Sequence, residues 1–257
     1  MSKISIPVLK PNKPRKMRTK RKIIFIIILF CVIVLAVLFF RSPISRITEI
    51  EFQGNMFASR EQLLQAGEFN VGDQFFEASV STLEQRLMAV NSVQNVNVIK
   101  QFPGKIRIQV QEYPTVAYEL GDGGTLMAIL SSGAMVPVDA SGIAVEKPIL
   151  TKWDPSDPNK VKLSQALGEI PNQLTSDISE IIPSPTVSFP DRIKLYTRSK
   201  FEVITAVSLI KDKVEYLNQV IETEEPGLIT MLEADSYAPF VPLNSELDDG
   251  DGSTNNK

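Results

Sequence analysis

The sequence predicts an α+β protein behind a single N-terminal transmembrane helix: first a module of order β-α-α-β-β, then a second mixed α+β domain with a mainly antiparallel sheet. Three observations carry that expectation. Residues 23–40 run for eighteen positions without a charge, proline or glycine. Two helix-start signatures lie close to runs of alternating apolar and polar residues, and one strongly amphipathic segment stands among short strand-like runs further on.

At 1.5 Å per residue the apolar run spans about 27 Å, against roughly 30 Å of bilayer hydrocarbon. It is longer than the core of a cleaved signal, and Arg41-Ser42-Pro43 follow it in place of a small-residue cleavage site. Residues 1–22 hold nine Lys or Arg and no acid, which predicts a cytoplasmic N-terminus; Pro7, Pro11 and Pro14 predict a disordered tail. Anionic headgroups hold juxtamembrane cations at about 1 kcal/mol each, so this tail needs no protein partner. Everything beyond the span is then expected outside the cell. Residues 47–257 carry sixteen basic and thirty acidic side chains, a balance of −14 that argues against a nucleic-acid partner.

The one cysteine, Cys31, lies inside the span, so the exported part has no disulfide and must rest on its core. The chain has no histidine, which removes Ser-His-Asp and Cys-His catalysis and every imidazole metal site. No cofactor, metal or small-molecule substrate is expected.

Residues 47–52 alternate and predict a half-buried strand, stopped by Gln53-Gly54-Asn55. Ser59-Arg60-Glu61-Gln62 is a capping box, whose hydroxyl and amide take up backbone N–H groups that a helix start leaves unpaired. Leu63, Leu64 and Ala66 follow before a glycine stop at Gly67. A second box, Ser81-Thr82-Leu83-Glu84, opens a helix with Leu83, Leu87 and Val90 on one face, closed by Asn91-Ser92. In two strand runs, 93–100 and 105–110, Val96 and Val98 share one face, as do Ile106, Ile108 and Val110. Between them Phe102-Pro103-Gly104-Lys105 predicts a tight turn with proline second and glycine third.

These residues resemble a known family. The stretch 91–120, NSVQNVNVIKQFPGKIRIQVQEYPTVAYEL, resembles a POTRA domain of the FtsQ/DivIB family of bacterial division proteins, in its Gram-positive DivIB form. The matching features are a helix ending before a Val-x-x-Val strand, the Phe-Pro-Gly turn, an alternating Ile strand, and Glu112-Tyr113-Pro114 with Ala117 close behind. Tyr113 stands where the family commonly has a basic residue. A short basic tail, one span and then one POTRA module is that family's arrangement, so the resemblance covers nearly the whole chain. The expected division is a cytoplasmic tail at 1–22, the transmembrane helix at 23–40, a POTRA domain at 45–114, an extracytoplasmic β domain at 115–240 and a disordered tail at 241–257.

Beyond Pro114, runs 116–120 and 125–130 predict a hairpin across Gly121-Asp122-Gly123-Gly124; no helix opening with Lys-Ser/Thr follows to make that loop a phosphate cradle. A turn is expected at 139–142, and Pro148-Ile149-Leu150-Thr151 resembles a short buried segment of the family. Asn159 is expected to cap a helix stopping at Gly168, and Pro171 to open one carrying Ile170, Leu174, Ile178 and Ile181 on one stripe. Runs 187–189 and 192–197 predict strands about a Pro190-Asp191 turn. In residues 206–222, Val207, Ile210, Val214, Leu217 and Ile221 repeat at spacings of 3, 4, 3 and 4. That is an amphipathic helix expected to pack on its own sheet, with Lys211 and Glu215 paired on the wet side. Residues 228–234 predict the last strand.

The resemblance implies that this last strand and its exit take on small single-span division proteins, FtsL-like and DivIC- or FtsB-like, by strand addition. A terminal strand leaves unpaired N–H and C=O groups that form such a template. The candidate partner-binding residues are Leu228, Ile229, Thr230, Met231, Leu232, Glu233, Ala234, Tyr237 and Phe240; the strand pair 93–110 is a second candidate surface. Two catalytic patterns compete. Ser208-Leu209-Ile210-Lys211 matches the S-x-x-K of penicillin-interacting enzymes but lacks S-D-N and K-T-G companions. Asp248-Asp249-Gly250-Asp251-Gly252 lacks the full calcium-loop register. No catalytic residue is assigned. The expected function is a non-enzymatic, single-pass assembly factor of the divisome at the septum, recruiting other bitopic proteins and, through them, the division transpeptidase. The alternative is a membrane-anchored wall enzyme with a degenerate Ser-x-x-Lys site. A POTRA chaperone of outer-membrane barrels would carry several repeats before a long series of alternating strands.

Overall fold

The computed structural model describes residues 16–139 and 146–240. The expected turn at 139–142 (apart from Asp139), the acidic run 248–252 and the tail 241–257 lie outside that range, as do residues 1–15. Helix α1, Lys16–Arg41, is long and apolar enough to cross a membrane. It begins inside the tail expected to be disordered, with Lys16 to Lys22 helical. Lys and Arg are good helix formers, and extending an existing helix avoids a new nucleation cost.

After a single 3-10 turn at Pro43–Ser45 come β1 (Glu49–Gln53), α2 (Arg60–Gly67), α3 (Val80–Leu87), β2 (Val93–Gln101) and β3 (Lys105–Glu112). This is the expected β-α-α-β-β order. Strand β3 lies between antiparallel β2 and parallel β1. Its inward Ile106, Ile108 and Val110, with Val96 and Val98, pack against Leu63, Leu83 and Leu87 of the helices. The Ser59 capping box is formed: Gln62 N–H donates to Ser59 Oγ at 3.2 Å and Ser59 N–H to Gln62 Oε1 at 3.0 Å.

Three local expectations are corrected. The cap of α3 is Ser79, whose Oγ accepts from Thr82 N–H at 3.1 Å. Glu84, expected to close a box with Ser81, instead accepts from Val98 N–H of the neighbouring strand at 3.0 Å. The left-handed residue ending α2 is Glu68, at φ 53°, and not Gly67. The β2–β3 hairpin pairs Gln101 with Lys105, leaving a three-residue loop with a cis Phe102–Pro103 peptide and Gly104 at φ +73°.

The rest of the chain builds β4 (Thr115–Leu120), β5 (Leu126–Leu130), β6 (Met135–Pro137), β7 (Ile149–Leu150), α4 (Pro158–Glu169), α5 (Asn172–Thr175), β8 (Ile178–Pro183), β9 (Arg192–Thr197), β10 (Glu202–Ala206), α6 (Ile210–Thr223), β11 (Gly227–Met231) and β12 (Asp235–Pro239). The strands form one sheet in the order β12-β11-β10-β9-β8-β7-β4-β5-β6. Five of its neighbouring pairs are antiparallel and three parallel, so the sheet is mixed and mainly antiparallel as expected. Leu150, Ile181, Leu195, Val203 and Ile229 sit side by side across β7 to β11. With Leu163 and Leu167 of α4 and Val214 and Leu217 of α6 they make the core.

Here too the structure departs from expectation. Only Asn172–Thr175 is helical after Pro171; Ile178 and Ile181 belong to β8. The pairing of β8 with β9 shifts between Ile178 and Glu180, and that irregularity turns two residues three apart to the same buried side, imitating helical spacing. Residues 187–189 form no strand, and Val187 is fully exposed. Strand β10 is not among the expected elements, and α6 begins at Ile210, four residues after the start of the expected segment at 206. Helix α4 is capped by Asp157, whose Oδ1 accepts from Asn159 N–H at 2.8 Å, with Pro158 in the first turn.

Candidate functional site

The strand expected over 228–234 is shorter, and it is not at the edge. Strand β11 ends at Met231, residues 232–234 turn, and β12 returns antiparallel with Met231 opposite Asp235 and Gly227 opposite Pro239. On its other side β11 pairs in parallel with β10, so β12 is the terminal strand. The candidate residues separate accordingly. Ile229 and Met231 are wholly buried, which removes them from any contact surface. Leu228 and Thr230 are half-buried and, by strand alternation, lie on the opposite sheet face. Leu232 is half-buried and Glu233 and Ala234 are exposed in the turn, whereas Tyr237 is on the edge strand and Phe240 follows it, 51 % exposed.

Main-chain geometry shows what the edge offers. Phe240 N–H donates to the Pro226 carbonyl at 3.2 Å. Alternation from that bond turns the N–H and C=O of Ser236 and Ala238 inward to β11 and leaves those of Asp235 and Tyr237 facing outward. Two side chains hold the strand in place. The Tyr237 ring lies 6.5 Å from that of Phe201, and its hydroxyl donates to the Glu225 carbonyl at 2.7 Å. Burial, helped by the negative charges of Glu224 and Glu225, pushes the Tyr237 phenol up, so this donor keeps its proton. Lys213 Nζ donates to both carboxylate oxygens of Asp235 at 2.8 Å.

Among the described residues, three other strands end a sheet, and each has part of its outer main chain engaged or missing. Strand β6 has three residues and ends in Pro137, which has no N–H to offer. On β1 the Ile50 carbonyl already accepts from Arg60 Nη1 at 3.0 Å. On β2 the Val98 N–H is given to Glu84. Strand β12, five residues long and polar, keeps its outer main chain open. Sequence reasoning missed β12 because its one inward apolar anchor, Tyr237, sits among polar residues and leaves no alternation to read.

The Ser-x-x-Lys pattern does not assemble. Ser208 precedes α6 and its N–H donates to Asp191 Oδ2 at 2.9 Å, tying the helix start to the preceding turn. Lys211 is ion-paired with Glu169 of α4 and not with Glu215. The hydrogen bond to Glu169, followed by its charge, raises the Lys211 pKa, the opposite of what a general base for a serine requires. No group of three or more potential metal-ligating acids or cysteines occurs among the described residues.

Comparison with known proteins shows the family. A family model described as a POTRA domain of the FtsQ type matches residues 45–113. The cell division protein DivIB of Paenibacillus polymyxa (strain E681) is 59 % identical over 246 residues, 96 % of each chain. The chain belongs to the DivIB family. DivIB of Bacillus anthracis is 30 % identical over 94 % of this chain and 91 % of its own, and DivIB of Bacillus subtilis (strain 168) is 26 % identical over 90 % and 88 %. A solved structure of the major extracytoplasmic domain of the trans isomer of DivIB from Geobacillus stearothermophilus covers 43 % of this chain and 92 % of its own, at 23 % identity and a TM-score of 0.37. As a DivIB-family member this is a cell-division protein with a POTRA domain, a β-rich second domain and one apolar N-terminal helix.

Proposed function

We propose that this protein is a non-catalytic assembly factor of the divisome. Helix α1 anchors it in the cell membrane with the N-terminus cytoplasmic, and both folded domains stand outside, at the septum. In that position it recruits and holds FtsL-like and DivIC- or FtsB-like single-span proteins, and through them the division transpeptidase. One observation carries the reading: β12 is a five-residue terminal strand whose outward groups at Asp235 and Tyr237 are aligned to pair with an extended segment. The nine basic charges before the span support the orientation.

The register selects the test. Thr230 pairs with Ser236 inside the sheet, so proline there would break the β11–β12 ladder and leave the question unanswered. Asp235 is the better position. Asp235→Pro removes an outward donor at the first residue of an edge strand, where proline is tolerated. Asp235→Ala also loses the Lys213 contact but keeps the N–H. The expected result is binding to a DivIC-like partner weakened about tenfold or more by proline and little changed by alanine, measured by calorimetry with circular dichroism confirming the fold. Equal binding by both variants would remove strand addition at β12.

A further inference from the structure

The base of the POTRA domain is fastened to the end of α1 and not hung from a linker. The Phe40 carbonyl, which the helix end leaves without a helical partner, accepts from Ser45 Oγ at 2.9 Å and from Gln74 Nε2 at 3.0 Å. Ser45 is completely buried in this joint. Around it stands a cluster of phenylalanines. The Phe76 ring lies 6.3 Å from Phe39, 6.2 Å from Phe40 and 6.1 Å from Phe102, and Phe102 lies 6.4 Å from Phe39. Phe75, buried in the POTRA core, backs Phe76 at 5.1 Å and Phe102 at 6.1 Å. Phe76 and Phe102 are 52 % and 53 % exposed, and Ile44, in the 3-10 turn that joins α1 to the domain, 56 %. A groove of about 690 Å³ runs between helix and domain, walled by Ile33, Val37, Phe40 and Phe76 with Gln74 and Glu77 at its rim.

In water such a contiguous apolar patch is unfavourable, and its continuity with the span identifies what covers it. The apolar run of about 27 Å falls a few ångströms short of roughly 30 Å of hydrocarbon, a gap that apolar groups flanking the span can fill. Arg41 lines the groove and Arg46 bridges to Gln74 of its lining, cations of the kind that pair with lipid phosphates beside buried apolar surface. We propose that Phe76, Phe102 and Ile44 sit in the lipid of the leaflet where the span ends, forming with Phe39 and Phe40 an aromatic collar that completes the anchor. The collar fixes the tilt of the POTRA domain relative to the membrane. This rests on α1 spanning the bilayer, and the experiment separates the two claims.

Single nitroxide labels are placed on the full chain at Phe76→Cys, Phe102→Cys and Ile44→Cys, each with Cys31→Ser, and at native Cys31. Nanodiscs of phosphatidylethanolamine and phosphatidylglycerol hold one copy each, and accessibility to oxygen and to a water-soluble nickel chelate is read by power saturation. Val187→Cys, also with Cys31→Ser and at a fully exposed loop position, is the aqueous reference. The expected result is that positions 44, 76 and 102 favour oxygen over nickel, less strongly than Cys31 and opposite in sign to position 187. If Cys31 is membrane-buried while 44, 76 and 102 behave like 187, the collar fails and the span stands. If Cys31 itself is aqueous, both fail. Protection that appears only on adding a second single-span protein overturns lipid as the occupant.

Discussion

Lys160 on α4 meets Glu119 on β4 in an ion pair whose side chains are 7 % and 14 % exposed. Removing one partner strands a charge away from water, so Lys160→Met should cost about 3 kcal/mol in urea unfolding, and adding Glu119→Leu should recover most of it. An unchanged midpoint in the single variant would show that water reaches the carboxylate. Neither residue stood out in the sequence, because burial of a charge depends on which distant strand the helix covers. Ser59 and Gln62 were legible because their two hydrogen bonds are reciprocal and local. Ser81 and Glu84 carried the same pattern and misled, since Val98, fourteen residues away, took the carboxylate. Gly67 is expected as a glycine stop, and α2 does end there, with Glu68 taking the left-handed turn. The reason for glycine at 67 is space: a Cβ there would lie 2.2 Å from the Phe69 ring.

At the scale of elements, amphipathic periodicity read well where an element was regular and badly where a bulge or a tertiary hydrogen bond intervened. The faces of β2, β3 and α6 follow their patterns, with Ile210, Val214 and Leu217 buried as expected. Val207 fitted the same pattern without being helical: its N–H donates to the Asp191 carbonyl at 3.0 Å, holding residues 206–209 out of the helix. The Phe-Pro-Gly hairpin was found by its glycine, and the structure adds what that glycine supports. The Gly104 carbonyl accepts from Thr48 and Glu49 N–H at 2.8 and 3.3 Å, so the hairpin tip seats the start of β1. A Cβ on Gly104 would meet the Arg46 carbonyl oxygen at 2.5 Å and Thr48 Oγ1 at 2.8 Å, at a φ of +73°. Gly104→Ala should therefore destabilise the POTRA domain by about 2 kcal/mol, and faster amide exchange should begin at Thr48 and Glu49. Exchange unchanged at those two amides would mean that the tip gives way without releasing β1.

For the whole molecule, the architecture of anchor, POTRA domain and β-rich domain was legible because each has its own signature: an uncharged run, a β-α-α-β-β order, and strand runs around one amphipathic helix. Which strand ends the large sheet was not, since β12 is fixed by the single anchor Tyr237. We propose that the two folded parts divide at Pro114 and unfold independently. Their buried clusters share no residue: one gathers around Leu63, Leu87 and Ile108, the other around Ile181, Leu195 and Leu217. Across the junction, Ser131 N–H donates to the Pro114 carbonyl at 2.9 Å and Ser132 Oγ to the Asn91 carbonyl at 3.4 Å. Two such bonds, each worth about 1 kcal/mol, cannot bind cores of this size into one cooperative unit. Calorimetry of the full chain in detergent should show two transitions. Ile108→Ala and Leu217→Ala, each emptying a fully buried position at a cost of about 3 kcal/mol, should each lower one transition, by roughly 20 °C in the smaller POTRA domain and roughly 10 °C in the larger one, and leave the other in place. If a single transition moved with both substitutions, the POTRA domain and the sheet would be one cooperative body, and strain at the membrane joint would then be felt at β12 through the fold itself.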